Sequence, residues 1–149
     1  MNLVSVDPGT KGAIFLVEDV TSETRPHRYW PMPMLGRGKH AYDIDTIVDI
    51  LRSIDPLDIL IIEKVTRPAS IVRCMGIHEA IGAAIGADEV HTIRPQVWKK
   101  YFGLRRDKQD SIDLANSLIP GLELSKAQDG IAEAFLIGEF WRRQELSLA

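Results

Sequence analysis

The sequence predicts an α/β fold, namely a mixed five-stranded sheet of three antiparallel strands followed by parallel strands, with helices on both faces. Three short strand-like segments separated by turn residues come first along the chain. Two later apolar segments each follow a helical pattern, which is typical of strands added in parallel. With 149 residues, 45% of them hydrophobic, the chain can bury one substantial core, so we expect a single domain over residues 1–149.

The antiparallel part of the sheet begins the chain. β-Branched and apolar residues cluster between turn residues, and three such clusters predict strands: residues 2–6, 13–17 and 28–32. Pro8 and Gly9 lie between the first two clusters and predict a hairpin turn directly after Asp7. A glycine-containing basic loop follows the third strand, and we expect this loop to be mobile.

Helices and strands then alternate. Apolar spacing and apolar runs predict, in order, a helix of about three turns over 44–51, a buried strand at 58–64, a helix over 70–85 and a strand at 89–93. Pro95 opens a short helix, and a further helix ends before Pro120. This order completes the mixed sheet and supplies the helices that cover it.

The last helix carries a pair of acids. Ser125 and Gln128 have the S-x-x-Q spacing of a capping box, so this helix is predicted to begin at Lys126. That start argues against Asp129 as the helix cap. Glu133 follows Asp129 by four residues, so both acids lie on the same face of the helix, with Cβ atoms roughly 5–6 Å apart. Taken alone, Glu133 is typical of an exposed helix surface.

Two more acids end strands. Asp7 closes the first strand and Glu63 closes the buried one, and neighbouring parallel strands, about 4.8 Å apart, would present both at one edge. Taken alone, Asp7 is a common turn residue and Glu63 a solvated strand-end residue. If the last helix crosses this edge, four carboxylates converge and require protons or divalent cations. Oxygen ligands favour Mg²⁺ or Mn²⁺, and two such ions about 3.5–4 Å apart support phosphodiester hydrolysis.

Positive charge is concentrated between residues 94 and 108, although the formal net charge of the chain is -3. Candidate phosphate-binding cations in this segment are Arg94, Lys99, Lys100, Arg105, Arg106 and Lys108. The alternative is an ordinary solvated helix face, with the interleaved aromatics Trp98, Tyr101 and Phe102 in the core. Further candidates for nucleic-acid contacts lie elsewhere: Arg67, Arg73, Lys126 and the loop residues Arg37, Lys39 and His40.

Four stretches resemble, in the same order, the RuvC family of Holliday junction resolvases, especially its shorter phage-type members: VDPGTKGAIF, LIIEKV, RPQVWKKYFGLRRDKQDSIDLANSL and DGIAEAFLIGEF. The resemblance spans nearly the whole chain and implies an RNase H-like fold. It also implies that Asp7, Glu63 and Asp129 are metal-binding catalytic acids. Lys108 matches a family lysine near the scissile phosphate, where a positive group stabilises developing charge.

Two departures from the family pattern bear on these expectations. Better-known cellular members carry their last acid three residues after the first helical one, where this chain has Ala132. Glu133 is the nearby substitute, since both spacings face the same way on a helix. After Glu63 the chain lacks an aromatic residue that could stack on an opened base, which weakens the expectation of junction-specific recognition.

The leading hypothesis is a RuvC-like endonuclease that resolves branched DNA, in particular four-way junctions, by paired nicks. We expect two Mg²⁺ ions per active site, which Mn²⁺ can replace. A homodimer would suit symmetric cuts, with its interface at the small-residue face of helix 70–86 or near Trp141. An RNase H-like nuclease acting on flaps, forks or RNA–DNA hybrids is the first alternative. An ATP-binding module of the actin and sugar-kinase type, suggested by Asp7, Gly9 and Thr10, is disfavoured by the chain length. A non-catalytic nucleic-acid-binding relative is disfavoured by the joint presence of the acids.

Composition excludes several other classes. A single cysteine, Cys74, can form neither an intramolecular disulfide nor a cysteine-pair zinc site. The sequence shows no signal-peptide pattern and no apolar segment approaching about 18 residues. We therefore expect no membrane association and a cytoplasmic location, and the family resemblance together with the short chain implies a bacterial or phage-infected cell.

Overall fold

The computed structural model describes residues 1–36, 38 and 41–146, so the basic loop residues Arg37, Lys39 and His40 lie outside the described part. The sheet contains five strands: β1 (Leu3–Asp7), β2 (Ala13–Val17), β3 (His27–Pro31), β4 (Ile59–Glu63) and β5 (Glu89–Ile93). Their spatial order is β3-β2-β1-β4-β5. The pairs β1–β2 and β2–β3 are antiparallel, whereas β1–β4 and β4–β5 are parallel. The predicted mixed sheet with an antiparallel start is confirmed.

Helices cover both faces of the sheet, as predicted. They are α1 (Ile44–Ser53), α2 (Ala69–Ile85), α3 (Pro95–Tyr101), α4 (Lys108–Leu118) and α5 (Asp129–Glu145). Helices α1 and α2 pack on one face, and α5, in contact with α3 and α4, packs across the other. In the described part of the chain, no helix is both long and apolar enough to cross a membrane.

Strand β4 lies between β1 and β5 and is buried on both faces because helices cover both sides of the sheet. Ile59 and Ile61 belong to the core beneath α5, whereas Leu60 and Ile62 belong to the core beneath α1 and α2. Glu63, the last residue of the strand, is also buried. The strand therefore ends in a carboxylate that has little contact with water.

Two element boundaries differ from the predictions. The first strand is predicted over residues 2–6 but spans Leu3–Asp7, because the backbone of Asp7 continues the ladder with β2; Asp7 closes the strand, as expected. The final helix is predicted to begin at Lys126, but that residue starts a 3-10 turn, and α5 begins at Asp129. The backbone N–H of Ser125 donates to Oε1 of Gln128 at 2.9 Å, so the capping box closes the tighter turn.

Gly130 allows α5 to approach the turn after β1, and Gly12 allows that turn to close tightly. A Cβ on Gly130 would collide with the carbonyl oxygen of Lys11, and a Cβ on Gly12 would collide with the carbonyl oxygen of Asp7. Backbone packing this close requires residues without a side chain. The contact brings the first turn of α5, and with it Asp129, against the turn that follows Asp7.

A buried charge cluster ties α5 to the loop before β3. Glu139 is 1% exposed and its Oε1 lies 2.7, 3.1 and 3.2 Å from nitrogens of Arg25, Arg142 and Arg143, respectively. Arg142 also donates to the carbonyl oxygen of Val20. Because each buried charge has hydrogen-bonded partners, the cluster orients α5 across the sheet without leaving an unpaired charge.

Candidate active site

Asp7 and Glu63 lie at the same edge of the sheet. The parallel register pairs Val6 of β1 with Ile62 of β4, so the next residue on each strand is an acid. Glu63 is 7% exposed and Asp7 is partly buried. The structure therefore brings together the two strand-end carboxylates that the sequence singles out.

Helix α5 adds two acids at this edge. Asp129 and Glu133 line a cavity of about 380 Å³ together with Asp7. Glu63 lies near these acids: its charge raises the pKa of Asp7, and the charge of Glu133 raises the pKa of Glu63. The positively charged residues in the cavity lining are Lys11, Lys99, Arg106 and Lys108. Acids from β1, β4 and α5 therefore lie close to cations from the turn after β1, from α3 and from the start of α4.

The fourth acid reaches the cavity from the i+4 position of α5. Ala132, at i+3 from Asp129, is fully buried in the core between α5 and the sheet. Glu133 has a side chain that is 19% exposed and lines the cavity. The two spacings are therefore not equivalent here, because the rotation of α5 turns position 132 into apolar surroundings. Position 133, and not position 132, therefore supplies the second carboxylate of α5 at the cavity.

Burial and mutual repulsion favour the neutral form of these carboxyl groups. Desolvation raises the pKa of Asp7 well above its usual value, and the nearby charges of Glu63, Glu133 and Asp129 raise this pKa further. Desolvation also raises the pKa values of Glu63 and Glu133. A cluster of this kind is stabilised by protons, ammonium groups or metal ions.

Two lysines supply positive charge within the cluster. Nζ of Lys99 lies 3.7 Å from Oε1 of Glu133, and Nζ of Lys108 lies 3.3 Å from Oδ2 of Asp129. The Lys99 ammonium also lowers the pKa of Asp7. In this arrangement no three Asp, Glu, His or Cys side chains of the described residues are grouped closely enough to hold a metal ion. The carboxylates have the oxygen donors that a hard cation requires, and a bound ion would compete with the two ammonium groups.

Glu63 has a buried hydrogen-bond partner that the sequence alone does not indicate. The indole Nε1–H of Trp98 donates to Oε2 of Glu63 at 2.9 Å, and Trp98 is fully buried. Desolvation raises the pKa of Glu63, and this hydrogen bond partly offsets the rise. Trp98 is a core residue as predicted, but Tyr101 is 39% exposed and packs its ring edge-on against Phe102 and Phe140.

The basic segment divides between the cavity and the surface. Arg106 lines the acidic cavity and has no ion-pair partner among the described residues. Arg105 pairs instead with Asp110, with Nε 3.0 Å from Oδ2, and so belongs to the turn before α4. Lys100 is exposed and does not line the cavity. Both arginines line a smaller neighbouring cavity of about 240 Å³ that also contains Glu133. Only Arg106 also lines the cavity that contains Asp7.

Another cavity, lined by basic residues, lies beside the end of β4. Its volume is about 530 Å³, and its lining contains Lys64, Arg67 and Arg94 and no acidic residue. The backbone N–H of Lys64 donates to the carbonyl oxygen of Ile93 at 2.7 Å, which joins the ends of β4 and β5. The sequence singles out Arg67 and Arg94 but not Lys64, whose place in this cavity depends on the sheet order.

Two further basic candidates lie away from the acids. Arg73, on α2, has its guanidinium carbon 5.7 Å from the ring centroid of Tyr42. Lys126 is exposed in the 3-10 turn before α5. Neither side chain lines the acidic cavity, so the structure does not bring these two residues to the site.

No protein-family model matches the chain, and no curated protein sequence matches it. Among solved structures, Thermus thermophilus RuvC matches with 13% sequence identity and a TM-score of 0.64, covering 100% of this chain and 98% of that chain. T. thermophilus RuvC in complex with a Holliday junction substrate matches with 12% identity and a TM-score of 0.65 over the same shares of the two chains. These similarities concern the fold and do not distinguish phage-type members. The chain therefore has a RuvC-like, RNase H-like α/β fold.

Proposed function

We propose that this protein is a metal-dependent endonuclease that hydrolyses phosphodiester bonds in branched DNA. The supporting observation is the convergence of Asp7, Glu63, Asp129 and Glu133 at one edge of a RuvC-like sheet. Desolvation raises the pKa values of three of these acids, and two of the four pair with lysines, so the cluster requires positive charge. Phosphodiester hydrolysis by bound cations is a reaction that uses such a cluster.

Two Mg²⁺ ions, replaceable by Mn²⁺, are the proposed cofactors, and the same four carboxylates would hold them. Carboxylate oxygens are the ligands that these ions prefer. When bound, the ions supply the positive charge that activates an attacking water and stabilises the departing oxygen. Lys99 and Lys108 pair with Glu133 and Asp129, which limits repulsion between the carboxylates in the folded protein.

Arg106 is the proposed ligand of the scissile phosphate. It lines the acidic cavity without an ion-pair partner among the described residues, so its guanidinium is available to a phosphate. Lys108 would leave Asp129 when that carboxylate binds an ion. Its ammonium could then stabilise negative charge that develops on the phosphate.

The basic cavity beside β4 is the proposed path of the DNA backbone next to the site. Lys64, Arg67 and Arg94 share this cavity, and no acidic residue lines it. Lys64 directly follows Glu63, so the lining of this cavity begins one residue beyond the carboxylate that ends β4. Backbone phosphates held there would give binding that weakens strongly with salt.

Selectivity for four-way junctions and a homodimeric state are the finer parts of the proposal. One solved structure with this fold is RuvC in complex with a Holliday junction substrate. A four-way junction offers two equivalent strands, so a two-fold dimer would cut it by paired nicks. The motif resemblance further supports a phage-type RuvC-like enzyme. The segment after Glu63 lacks an aromatic residue, which favours the second candidate, an RNase H-like nuclease acting on flaps, forks or RNA–DNA hybrids.

A cleavage assay tests the proposal. Labelled four-way junction, flap, linear duplex and RNA–DNA hybrid are each incubated with Mg²⁺ or Mn²⁺ and either wild-type protein or Asp7→Asn. We expect paired nicks in the junction from the wild type and no cleavage from the variant. Equal cutting of junction and linear duplex would remove the junction selectivity, and cutting that survives Asp7→Asn would remove the metal site. Light scattering on the protein alone and on its DNA complex measures whether it is a dimer.

A further inference from the structure

The two oxygens of Glu63 have different surroundings. Oε2 accepts the hydrogen bond from Nε1–H of Trp98 at 2.9 Å, inside the core. Oε1 has no hydrogen-bond partner among the described residues. Among the described residues, Nε2 of His78 is the only side-chain nitrogen or oxygen that is fully enclosed and also lacks a hydrogen-bond partner. Oε1 of Glu63 lacks a partner but is not in that class, so it keeps contact with solvent. One oxygen is therefore held by the protein and the other is open to a ligand.

The indole that donates to Glu63 is enclosed by the core. Trp98 is fully buried in the core that α5 covers. Its helix, α3, begins at Pro95 and ends with the N–H of Phe102 donating to the carbonyl oxygen of Trp98 at 3.2 Å. The next residue, Lys99, pairs with Glu133. Close packing around the indole restricts its rotamers, so the N–H group points towards Glu63.

We propose that Trp98 is a positioning residue whose indole N–H holds the side chain of Glu63 in the orientation that presents Oε1 to a divalent cation. The inference rests on the proposed function, since that function requires the cation. Hydrogen bonds from neighbouring groups to metal ligands typically change metal affinity or activity by about 10–100-fold. An indole N–H suits this role because it donates only and cannot compete as a ligand.

Metal binding without DNA gives the first test. Trp98→Phe keeps an aromatic side chain in the core and removes the N–H donor. Isothermal titration with Mn²⁺ is expected to show about 10–100-fold weaker binding for Trp98→Phe than for the wild type. Trp141→Phe is the matched control, because Trp141 lies against His91 on another part of the surface and its variant should bind Mn²⁺ as the wild type does. Thermal unfolding of each variant establishes that it is folded.

Fluorescence gives a second test that keeps the hydrogen bond intact. The chain has three tryptophans, so Trp30→Phe combined with Trp141→Phe leaves Trp98 as the only indole emitter. Mg²⁺ should change its emission with a saturable midpoint, because the ion would bind the carboxylate that accepts from the indole. Glu63→Gln in the same background should remove the saturable change.

The outcomes separate the two hypotheses. A folded Trp98→Phe protein that binds Mn²⁺ with wild-type affinity would overturn the positioning role and leave the proposed function intact. A wild-type protein that binds no Mn²⁺ would overturn the metal-dependent function and the positioning role with it. If Trp98→Phe does not fold, the fluorescence titration decides, and an emission of Trp98 that Mg²⁺ does not change would overturn the role.

Discussion

Nζ of Lys99 lies 3.7 Å from Oε1 of Glu133, and both side chains line the cavity that contains Asp7. This pair places the second acid of α5 among the charged groups of the site. Position 132, where the family pattern would carry the acid, is instead fully buried in the core. The candidate four-carboxylate site therefore depends on Glu133.

Glu133→Gln is expected to lower the single-turnover cleavage rate by about 100-fold or more, because losing a metal ligand costs several kcal/mol and each 1.4 kcal/mol is roughly tenfold. Glu123→Gln, at an exposed position outside the site, is the control and should cut normally. The combination Ala132→Asp with Glu133→Ala should not restore cleavage, since it buries an unpaired charge. An active, folded double variant would contradict this account of the helix rotation.

Asp7→Asn is expected to abolish cleavage and to stabilise the metal-free protein. The pKa of Asp7 is higher in the folded protein than its ordinary value of 3.8. Protonation of Asp7 therefore contributes its full share of folding stability below pH 3.8, and this share is lost as the pH rises through the raised folded-state pKa. The variant removes this loss and should therefore be more stable than the wild type at pH 7. Urea unfolding in a chelator at pH 5 and pH 8 measures the effect. Asp49→Asn, at an exposed helix position, is the control, and an Asp7→Asn protein with the wild-type pH dependence would refute the prediction.

Arg106→Ala is expected to lower the cleavage rate by about 10–100-fold, since charge-assisted hydrogen bonds contribute about 1.5–3 kcal/mol. Its neighbour provides the control: Arg105 pairs with Asp110 outside the acidic cavity, so Arg105→Ala should have a much smaller effect. Single-turnover rates with Mg²⁺ compare the two. Equal losses for both variants would show that the site does not distinguish the two arginines.

Replacing Lys64, Arg67 and Arg94 together by Ala is expected to weaken DNA binding at low salt. Each lost phosphate contact reduces the slope of log affinity against log salt by about 0.9 on duplex arms, so the slope should become shallower by about 3. Binding is measured by fluorescence anisotropy in an Asp7→Asn background, which prevents cleavage. Arg52→Ala, on exposed α1 surface, is the control. An unchanged slope for the triple variant would place the DNA backbone elsewhere.

Glu139→Ala is expected to destabilise the protein by about 3–5 kcal/mol, because it leaves buried arginine charge without its carboxylate. Glu145→Ala, at the exposed end of the same helix, should stay within about 0.5 kcal/mol of the wild type. Chemical denaturation measures both. A Glu139→Ala protein of wild-type stability would mean that the arginines reach water instead.

Much of the architecture follows from local patterns. Apolar alternation and turn residues predict β1 to β3, and the apolar run before Glu63 predicts a strand buried on both faces, which the structure has. The start of α5 is less predictable: the capping box is present, but it closes a 3-10 turn of three residues before the helix proper. Short-range hydrogen bonds decide such boundaries, and they differ little in energy between the two helix types.

Local sequence patterns are sufficient to predict the strands and helices. They also show that acids end β1 and β4 and recur on one face of the last helix. Side-chain periodicity and turn chemistry are local properties, so they are visible without a fold. Three features depend on the tertiary structure: Ala132 is buried while Glu133 reaches the cavity, Trp98 donates to Glu63, and Arg106, unlike Arg105, lines the cavity that contains Asp7. These choices depend on the rotation of α5 and the packing of α3, which contacts between residues distant in sequence determine.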